Sequence, residues 1–124
     1  MHPIQFEHPD ETVTSSDLEK GYQTLIGIAH RHGSKIYGAT ILPCGHKDYP
    51  ETWMEQFEAL RLDTNSRIRK GIGYDGYFDY SLAVQDDNRL EYMQERYHIG
   101  DGLHPNDAGG QAIAEQIDLK KIME

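Results

Sequence analysis

Residues 100–110 read GDGLHPNDAGG and place a carboxylate, Asp101, three positions before an imidazole, His104. Glycines flank the aspartate on both sides and allow the backbone there to turn sharply. Pro105 and Asn106 then suit the first position and the N-cap of a following helix. This pattern predicts a tight loop on which Asp101 accepts the Nδ1 proton of His104 and leaves Nε2 free as a base.

The length and composition of the chain limit the structure to which this pair can belong. With 124 residues the chain is one domain at most, and folding would bury roughly two-thirds of its extended-chain surface. Hydrophobic residues make up 37% and charged residues 27%, as in an ordinary soluble globular protein. No apolar run reaches membrane-spanning length, and the first residues are too polar for a secretory signal. We expect a soluble protein, cytoplasmic as expressed, and the compartment of the intact protein stays open.

The charge of the chain argues against two classes of partner. Its formal net charge is −9 at pH 7, whereas a nucleic-acid backbone or an anionic membrane surface requires a basic patch. We therefore expect neither nucleic acid nor a membrane as a partner. Cys44 is the only cysteine, so no internal disulfide can form. No histidine has metal-ligand spacing to Cys44 or to the carboxylates, and we expect no metal or cofactor.

Hydrophobic periodicity predicts the order helix, strand, helix, strand, helix. Residues 1–15 lack apolar periodicity and are expected to be irregular. The first helix is predicted to begin at Ser16, where residues 16–19 fit a capping box, and to end before Gly33. Its apolar face would comprise Leu18, Tyr22, Leu25, Ile26 and Ala29. The remaining predictions are a strand at 35–42, a helix from a capping box at 52–55 to residue 70, a strand at 76–80 and a closing helix at 106–118.

These elements indicate the α/β class, with a parallel sheet that is incomplete. A strand that directly follows a helix is half of a parallel crossover unit. Only two strands are predicted, whereas a parallel sheet is normally buried between helices. One edge of the strand at 35–42 therefore lacks a partner from this chain. Either two copies of the chain complete each other, or another polypeptide supplies the missing strands.

Residues 100–118 resemble the last conserved block of the SGNH hydrolases, also called GDSL lipases and acylhydrolases. The resemblance covers about residues 16–119. It is carried mainly by the glycines and the Pro-Asn-Asp sequence that flank Asp101 and His104 in register. Residues 40–43 resemble the family strand that precedes its variable loop. Arg61 and Asn65, with residues 68–69, resemble the helix that follows that loop. Residues 78–80, with 82–83, resemble the last strand of the family.

The resemblance implies the C-terminal part of a three-layer α/β/α, flavodoxin-like fold in an enzyme that hydrolyses carboxylic esters of small molecules. Asp101 matches the acid of the family and His104 its general base. The family's Gly-Asp-Ser nucleophile block, its oxyanion glycine and its Gly-x-Asn-Asp block have no counterpart in this sequence. Residues 1–124 are therefore expected to be a partial SGNH domain, and the isolated chain is expected to be inactive.

Two interpretations of the function stay open. In the first, the chain is the C-terminal part of a serine esterase that cleaves a short acyl ester or an acetylated sugar, and Met1 need not be its natural start. In the second, it is a non-catalytic module that forms homo-oligomers, or pairs with a separate N-terminal half, through its unpaired strand. Asp101 and His104 would then only stabilise their loop. Cys44, which follows a strand, is a further candidate nucleophile.

Overall fold

The computed structural model describes residues 13–123, in which helices and two short strands alternate. The sequence predicts an irregular segment at residues 1–15, and residues 1–12 of this segment lie outside the described residues. The alternation confirms the predicted α/β class. The elements are α1 (Ser15–Arg31), β1 (Tyr37–Ala39), α2 (Glu51–Lys70), β2 (Gly76–Phe78), α3 (Tyr80–Val84), a 3-10 turn (Glu95–Tyr97), α4 (Asp107–Ala114) and α5 (Leu119–Met123).

Strands β1 and β2 are parallel and form the two-stranded sheet of the described residues. Both strands lie within their predicted ranges but are shorter. Ring packing supports the pairing, because the rings of Tyr37 and Phe78 stack with centroids 5.7 Å apart. The register pairs Tyr37 with Gly76, Gly38 with Tyr77 and Ala39 with Phe78.

Beyond Ala39, a side chain occupies the backbone groups on the edge of β1 that faces away from β2. The Thr40 N–H still donates to the Phe78 carbonyl (3.2 Å). The backbone of Ile41, in contrast, pairs with the side chain of Asn65 on α2. Asn65 Oδ1 accepts from the Ile41 N–H (2.7 Å), and Asn65 Nδ2 donates to the Ile41 carbonyl (3.0 Å). The amide of Asn65 thus takes the place of a neighbouring strand.

One edge of β1 has no strand beside it within residues 13–123, as the sequence predicts. The Ile36 carbonyl and the N–H group of Thr40 both form their hydrogen bonds on the side of β2. Alternate residues of a strand present their polar groups to the same side. The backbone groups of Tyr37 and Ala39 therefore point to the opposite side, as those of Ile41 do. The free edge thus extends from Tyr37 to Ala39.

Helix α1 begins earlier than predicted because its N-cap is Thr14 and not Ser16. The Thr14 hydroxyl accepts from the Asp17 N–H (3.1 Å), and the Asp17 carboxylate accepts from the Thr14 N–H (3.0 Å). A capping box is therefore present, but in a different register. The predicted apolar face is only partly correct, because Ile26 is buried whereas Leu25 is 56% exposed.

Helix α2 begins at Glu51, so the predicted capping box at 52–55 was wrong. Its N-cap is Pro50, which makes no side-chain capping bond and whose ring fixes the backbone at the helix entrance. The predicted end is confirmed, because the Gly71 N–H donates to the Arg67 carbonyl (3.1 Å). The buried side chains of α2 are Phe57, Arg61, Thr64, Asn65 and Ile68.

Arg61 is a buried charge, with an exposed fraction of 2%. Its guanidinium donates to both carboxylate oxygens of Glu58 (2.7 and 2.6 Å), to the Ser81 hydroxyl (2.7 Å) and to the Leu90 carbonyl (3.1 Å). A buried charge is tolerated when it is paired and its donors are satisfied in this way. Arg61 therefore connects α2 to α3 and to the segment that leads to residues 100–104.

Helix α3 was not predicted, since five residues are too few to show a helical period. Asp79 caps it by accepting from the Leu82 N–H (3.2 Å), and it also accepts from the Thr40 hydroxyl (2.9 Å) and from Arg69 (2.8 and 3.0 Å). Burial raises the pKa of Asp79, but these hydrogen bonds outweigh burial and lower the pKa overall. Asp79 thus fastens the end of β2 to α2.

Helix α4 ends earlier than predicted, and the chain continues into the short α5. Asn106 is the N-cap of α4, with its Oδ1 accepting from the Gly109 N–H (2.9 Å). Gly109 is buried, and a Cβ there would collide with the Tyr97 carbonyl, whereas Gly110 has open space around it. No helix within residues 13–123 combines the length and apolar character needed to cross a bilayer.

Candidate functional site

The side chains of Asp101 and His104 are hydrogen-bonded to each other on the loop before α4. His104 Nδ1 lies 2.5 Å from Asp101 Oδ2. The other oxygen, Oδ1, accepts from the backbone N–H groups of Leu103 (2.9 Å) and His104 (2.9 Å). One carboxylate therefore shapes the loop and orients the ring. Because the carboxylate faces Nδ1, the proton lies on Nδ1 and the lone pair on Nε2.

The carboxylate of Asp101 is held in its ionised form. Burial raises the pKa of Asp101, but the hydrogen bonds from the backbone and ring of His104 and from Leu103 N–H outweigh burial and hold this pKa well below its usual range. An ionised carboxylate at this position can stabilise a positive charge on the imidazole. The His104 side chain is 54% exposed.

Glycines make the sharp turn around Asp101 possible. Gly100 has a φ of 114° and Gly102 a φ of 70°, in the region that favours glycine. At Gly102 a Cβ would also lie 2.5 Å from the Gly45 carbonyl oxygen. The predicted turn is therefore confirmed, and Gly102 has a second role in close packing against the loop that follows β1.

His98 holds this turn from inside the loop. Its Nδ1 accepts from the N–H groups of Gly100 (3.0 Å) and Gly102 (3.1 Å). Its carbonyl accepts from Asn106 Nδ2 (3.2 Å), and His98 forms an isolated antiparallel bridge with Pro105. Pro105 thus precedes the helix, and its predicted place as the first helical residue was wrong.

The loop between β1 and α2 holds the turn from outside. The Asp48 N–H donates to His46 Nδ1 (3.1 Å), so the ring proton lies on His46 Nε2, which donates to the Gly100 carbonyl (3.0 Å). The Tyr49 hydroxyl donates to the Asp101 carbonyl (2.9 Å). Burial and the charge of Asp101 raise the pKa of Tyr49, which keeps this donor protonated. His46 and Gly100 are 54 positions apart in the sequence, and Tyr49 and Asp101 are 52 positions apart. No local sequence pattern indicates these contacts.

No nucleophile faces His104 within residues 13–123, where His104 Nε2 has no hydrogen-bond partner. The Ser81 hydroxyl accepts from Arg61 (2.7 Å). Cys44 is 2% exposed, and burial raises the pKa of its thiol to about 12. A thiolate is therefore disfavoured, and the environment of Cys44 argues against a nucleophilic role.

A groove of about 880 Å³ lies beside the Asp101 loop. His98 and Gly100 line it, together with charged residues of the 86–96 segment, but Asp101 and His104 do not. In the part of the chain that the structure describes, no three His, Cys, Asp or Glu side chains are arranged to hold a metal ion. The site is therefore an oriented acid and base.

No protein-family model matches this sequence, and no curated protein matches it. The fold and the site define an α/β chain that presents a carboxylate-oriented imidazole on a fixed loop.

Proposed function

We propose that the chain is the C-terminal, base-bearing part of a serine ester hydrolase of the SGNH type. The observation that supports this proposal is the 2.5 Å hydrogen bond between Asp101 and His104 on the loop before α4. In acyl transfer, a base so oriented takes the proton of the attacking hydroxyl and returns it to the leaving alcohol. Asp101 would stabilise the imidazolium that exists between these two transfers.

In this proposal, the serine and the oxyanion donors come from polypeptide outside these 124 residues. The free edge of β1 would receive the next strand of a three-layer α/β/α fold, and Nε2 of His104 would meet the serine. The substrate would be a small carboxylic ester, such as a short acyl ester or an acetylated sugar. Two features support completion by further polypeptide. Within residues 13–123, β1 has no strand on one side, and Leu25 and Ile28 of α1 are 56% and 41% exposed.

The first prediction concerns the isolated chain, which we expect to hydrolyse p-nitrophenyl acetate no faster than its own His104→Ala variant. The reason is that a base without a nucleophile and oxyanion donors cannot carry out acyl transfer by this mechanism. Both proteins are purified identically and compared at equal concentration. A rate well above background that disappears in His104→Ala would contradict the proposal, because the chain would then supply its own nucleophile.

A second experiment tests the chain in complex with the missing N-terminal part. The chain is co-expressed with the product of an upstream reading frame that ends near a Gly-x-Asn-Asp block, and ester turnover is measured on the complex. We expect turnover that His104→Ala abolishes and Asp101→Asn lowers, because both residues act in the same proton transfer. Turnover that neither variant changes would count against the proposed roles.

A second candidate function is a non-catalytic module that self-associates or binds a separate N-terminal half. The free edge from Tyr37 to Ala39 favours it, since an unpaired edge is a template for another strand. In this case, Asp101 and His104 serve only to stabilise the loop. Association that is unchanged in His104→Ala, with no turnover in any complex, would favour this second candidate.

A further inference from the structure

We propose that His98 is a positioning residue, which fixes the loop conformation in which Asp101 orients His104. The proposal rests on the function proposed above for the Asp101–His104 pair. His98 contacts neither of these side chains through a hydrogen bond. It acts on Gly100 and Gly102, the residues on either side of Asp101.

The two hydrogen bonds define the chemical state of the His98 ring. Two N–H groups, from Gly100 (3.0 Å) and Gly102 (3.1 Å), point at the single nitrogen Nδ1. Nδ1 must therefore offer a lone pair, and the ring proton of a neutral His98 lies on Nε2. This is the opposite tautomer to that of His104, whose Nδ1 donates to Asp101.

The backbone on either side of the His98 ring is held by hydrogen bonds at the base of the loop. The His98 carbonyl accepts from Asn106 Nδ2 (3.2 Å). The Ile99 N–H donates to the His104 carbonyl (3.0 Å), and His98 and Pro105 form an antiparallel bridge. The loop is thus closed at its base, with the His98 ring directed inward.

The glycines are the residues whose order costs the most conformational entropy. Both have positive φ values, 114° at Gly100 and 70° at Gly102. Within residues 13–123, His98 Nδ1 is the acceptor for both of their N–H groups. His46 and Tyr49 hold carbonyl groups of the same loop and cannot replace this acceptor. Removing Nδ1 would therefore release the two hinges around the Asp101 carboxylate.

The test compares His98→Asn with His98→Leu. The Asn Oδ1 can occupy the position of Nδ1 and accept both N–H groups, whereas Leu has a similar size and no acceptor. The readout is the exchangeable proton on His104 Nδ1, whose strongly downfield NMR resonance reports the bond to Asp101. Thermal melting of each variant reports the fold separately, so a general loss of structure is not mistaken for a loss of positioning.

We expect the resonance in the wild type and in His98→Asn, and its loss in His98→Leu, which should still show a cooperative melting transition. Retention at the wild-type shift in His98→Leu would overturn the proposal for His98 alone. Absence of the resonance from the wild type would overturn the proposed Asp101–His104 pair, and the His98 proposal with it.

If His98→Leu does not fold, a measurement on the wild type still tests the proposal. Imidazole ¹⁵N shifts distinguish the two tautomers, and we expect His98 to carry its proton on Nε2. A proton on Nδ1 would overturn the proposal, because that nitrogen could not then accept from the two glycines.

Discussion

Three hydrogen bonds converge on the carboxylate of Asp101: one from the ring of His104 and two from backbone N–H groups. They bind the ionised form and lower the pKa of Asp101, although burial opposes this change. A carboxyl pKa that is lower in the folded state than in the unfolded state stabilises the fold at neutral pH. The orientation of His104 and the stability of the loop therefore depend on the same ionisation.

The second prediction concerns Asp101→Asn, which we expect to be less stable than the wild type at pH 7. The unfolded pKa of aspartate is about 3.9, and the folded value lies below it. The stabilisation is thus complete above the unfolded pKa, decreases below it, and is lost as the pH falls through the lower, folded pKa. The difference in unfolding free energy between wild type and variant should shrink below about pH 4.

Urea unfolding at a series of pH values measures this difference. Asp87→Asn is a suitable control, because it removes the same charge from an exposed position on the 86–96 segment. We expect little change from this control at any pH. A wild-type advantage over Asp101→Asn that stays constant from pH 7 to pH 3 would show that the charge of Asp101 does not contribute.

The pairing of Asp101 with His104 could be predicted because it is local. Two glycines and a spacing of three residues are enough to bring the groups together. The roles of His46, Tyr49 and His98 could not be predicted in this way. For His46 and Tyr49, the partners are more than fifty residues away in the sequence. For His98, the role depends on a ring tautomer, which only the positions of the two backbone donors determine.

At the scale of the element, α1 shows how tertiary contacts choose between two local signals. The sequence predicts a capping box at Ser16 and Glu19, whereas the structure forms one between Thr14 and Asp17. In the structure, Glu19 forms an ion pair with Arg67 of α2 (3.5 Å), which directs its carboxylate away from the helix start. Asp17 remains available and caps Thr14. The presence of the helix was predictable, but its first residue was not.

The third prediction uses these two positions as a matched pair. Thr14→Ala removes a capping hydroxyl and should destabilise the fold by about 1 kcal/mol. Ser16→Ala replaces a hydroxyl inside α1 and should change stability by less than about 0.5 kcal/mol. Both values come from urea unfolding at neutral pH. A larger loss in Ser16→Ala than in Thr14→Ala would contradict the observed register of the cap.

Strand β1 shows a second tertiary contact that no local signal indicates. The β-prone run at 35–42 predicts a longer strand, but Asn65 occupies the backbone groups of Ile41. Nothing in the spacing from residue 41 to residue 65 indicates that these two meet. Propensity therefore predicted the strand, whereas the contact by which a side chain from α2 closes its edge at Ile41 was not predictable.

At the scale of the whole molecule, the α/β alternation and the two-stranded parallel sheet of residues 13–123 were both predictable. They follow from the number and order of periodic segments, which do not depend on atomic detail. The fate of the exposed apolar residues was less predictable, because burial of Leu25 requires a neighbour that the described residues do not supply. Its exposure of 56% and the free edge of β1 are both consistent with a fold that is completed by association.

The fourth prediction is that the chain forms a homodimer or larger oligomer in solution at micromolar concentration. Ala39→Pro should weaken this association, because it removes an N–H on the free edge while the Thr40 N–H keeps its bond to Phe78 (3.2 Å). Ala39→Ser retains the N–H and serves as the control. Size-exclusion chromatography with light scattering measures the mass of each protein.

A stable wild-type monomer would contradict self-association and leave a separate polypeptide as the occupant of the edge. Equal masses for Ala39→Pro and an oligomeric wild type would show that another surface holds the copies together. Either result is informative about the sheet and leaves the roles of Asp101 and His104 to their own tests.

The contact between Asn65 and Ile41 also limits the length of edge that could recruit strands into a fibre. A long, flat, unpaired strand can recruit identical strands without limit, which is the route to amyloid. Here the side chain of Asn65 closes the edge at Ile41, so an incoming strand finds only the backbone from Tyr37 to Ala39. Such a short edge can guide one specific partner strand into register, but it provides few backbone hydrogen bonds for the indefinite stacking of strands.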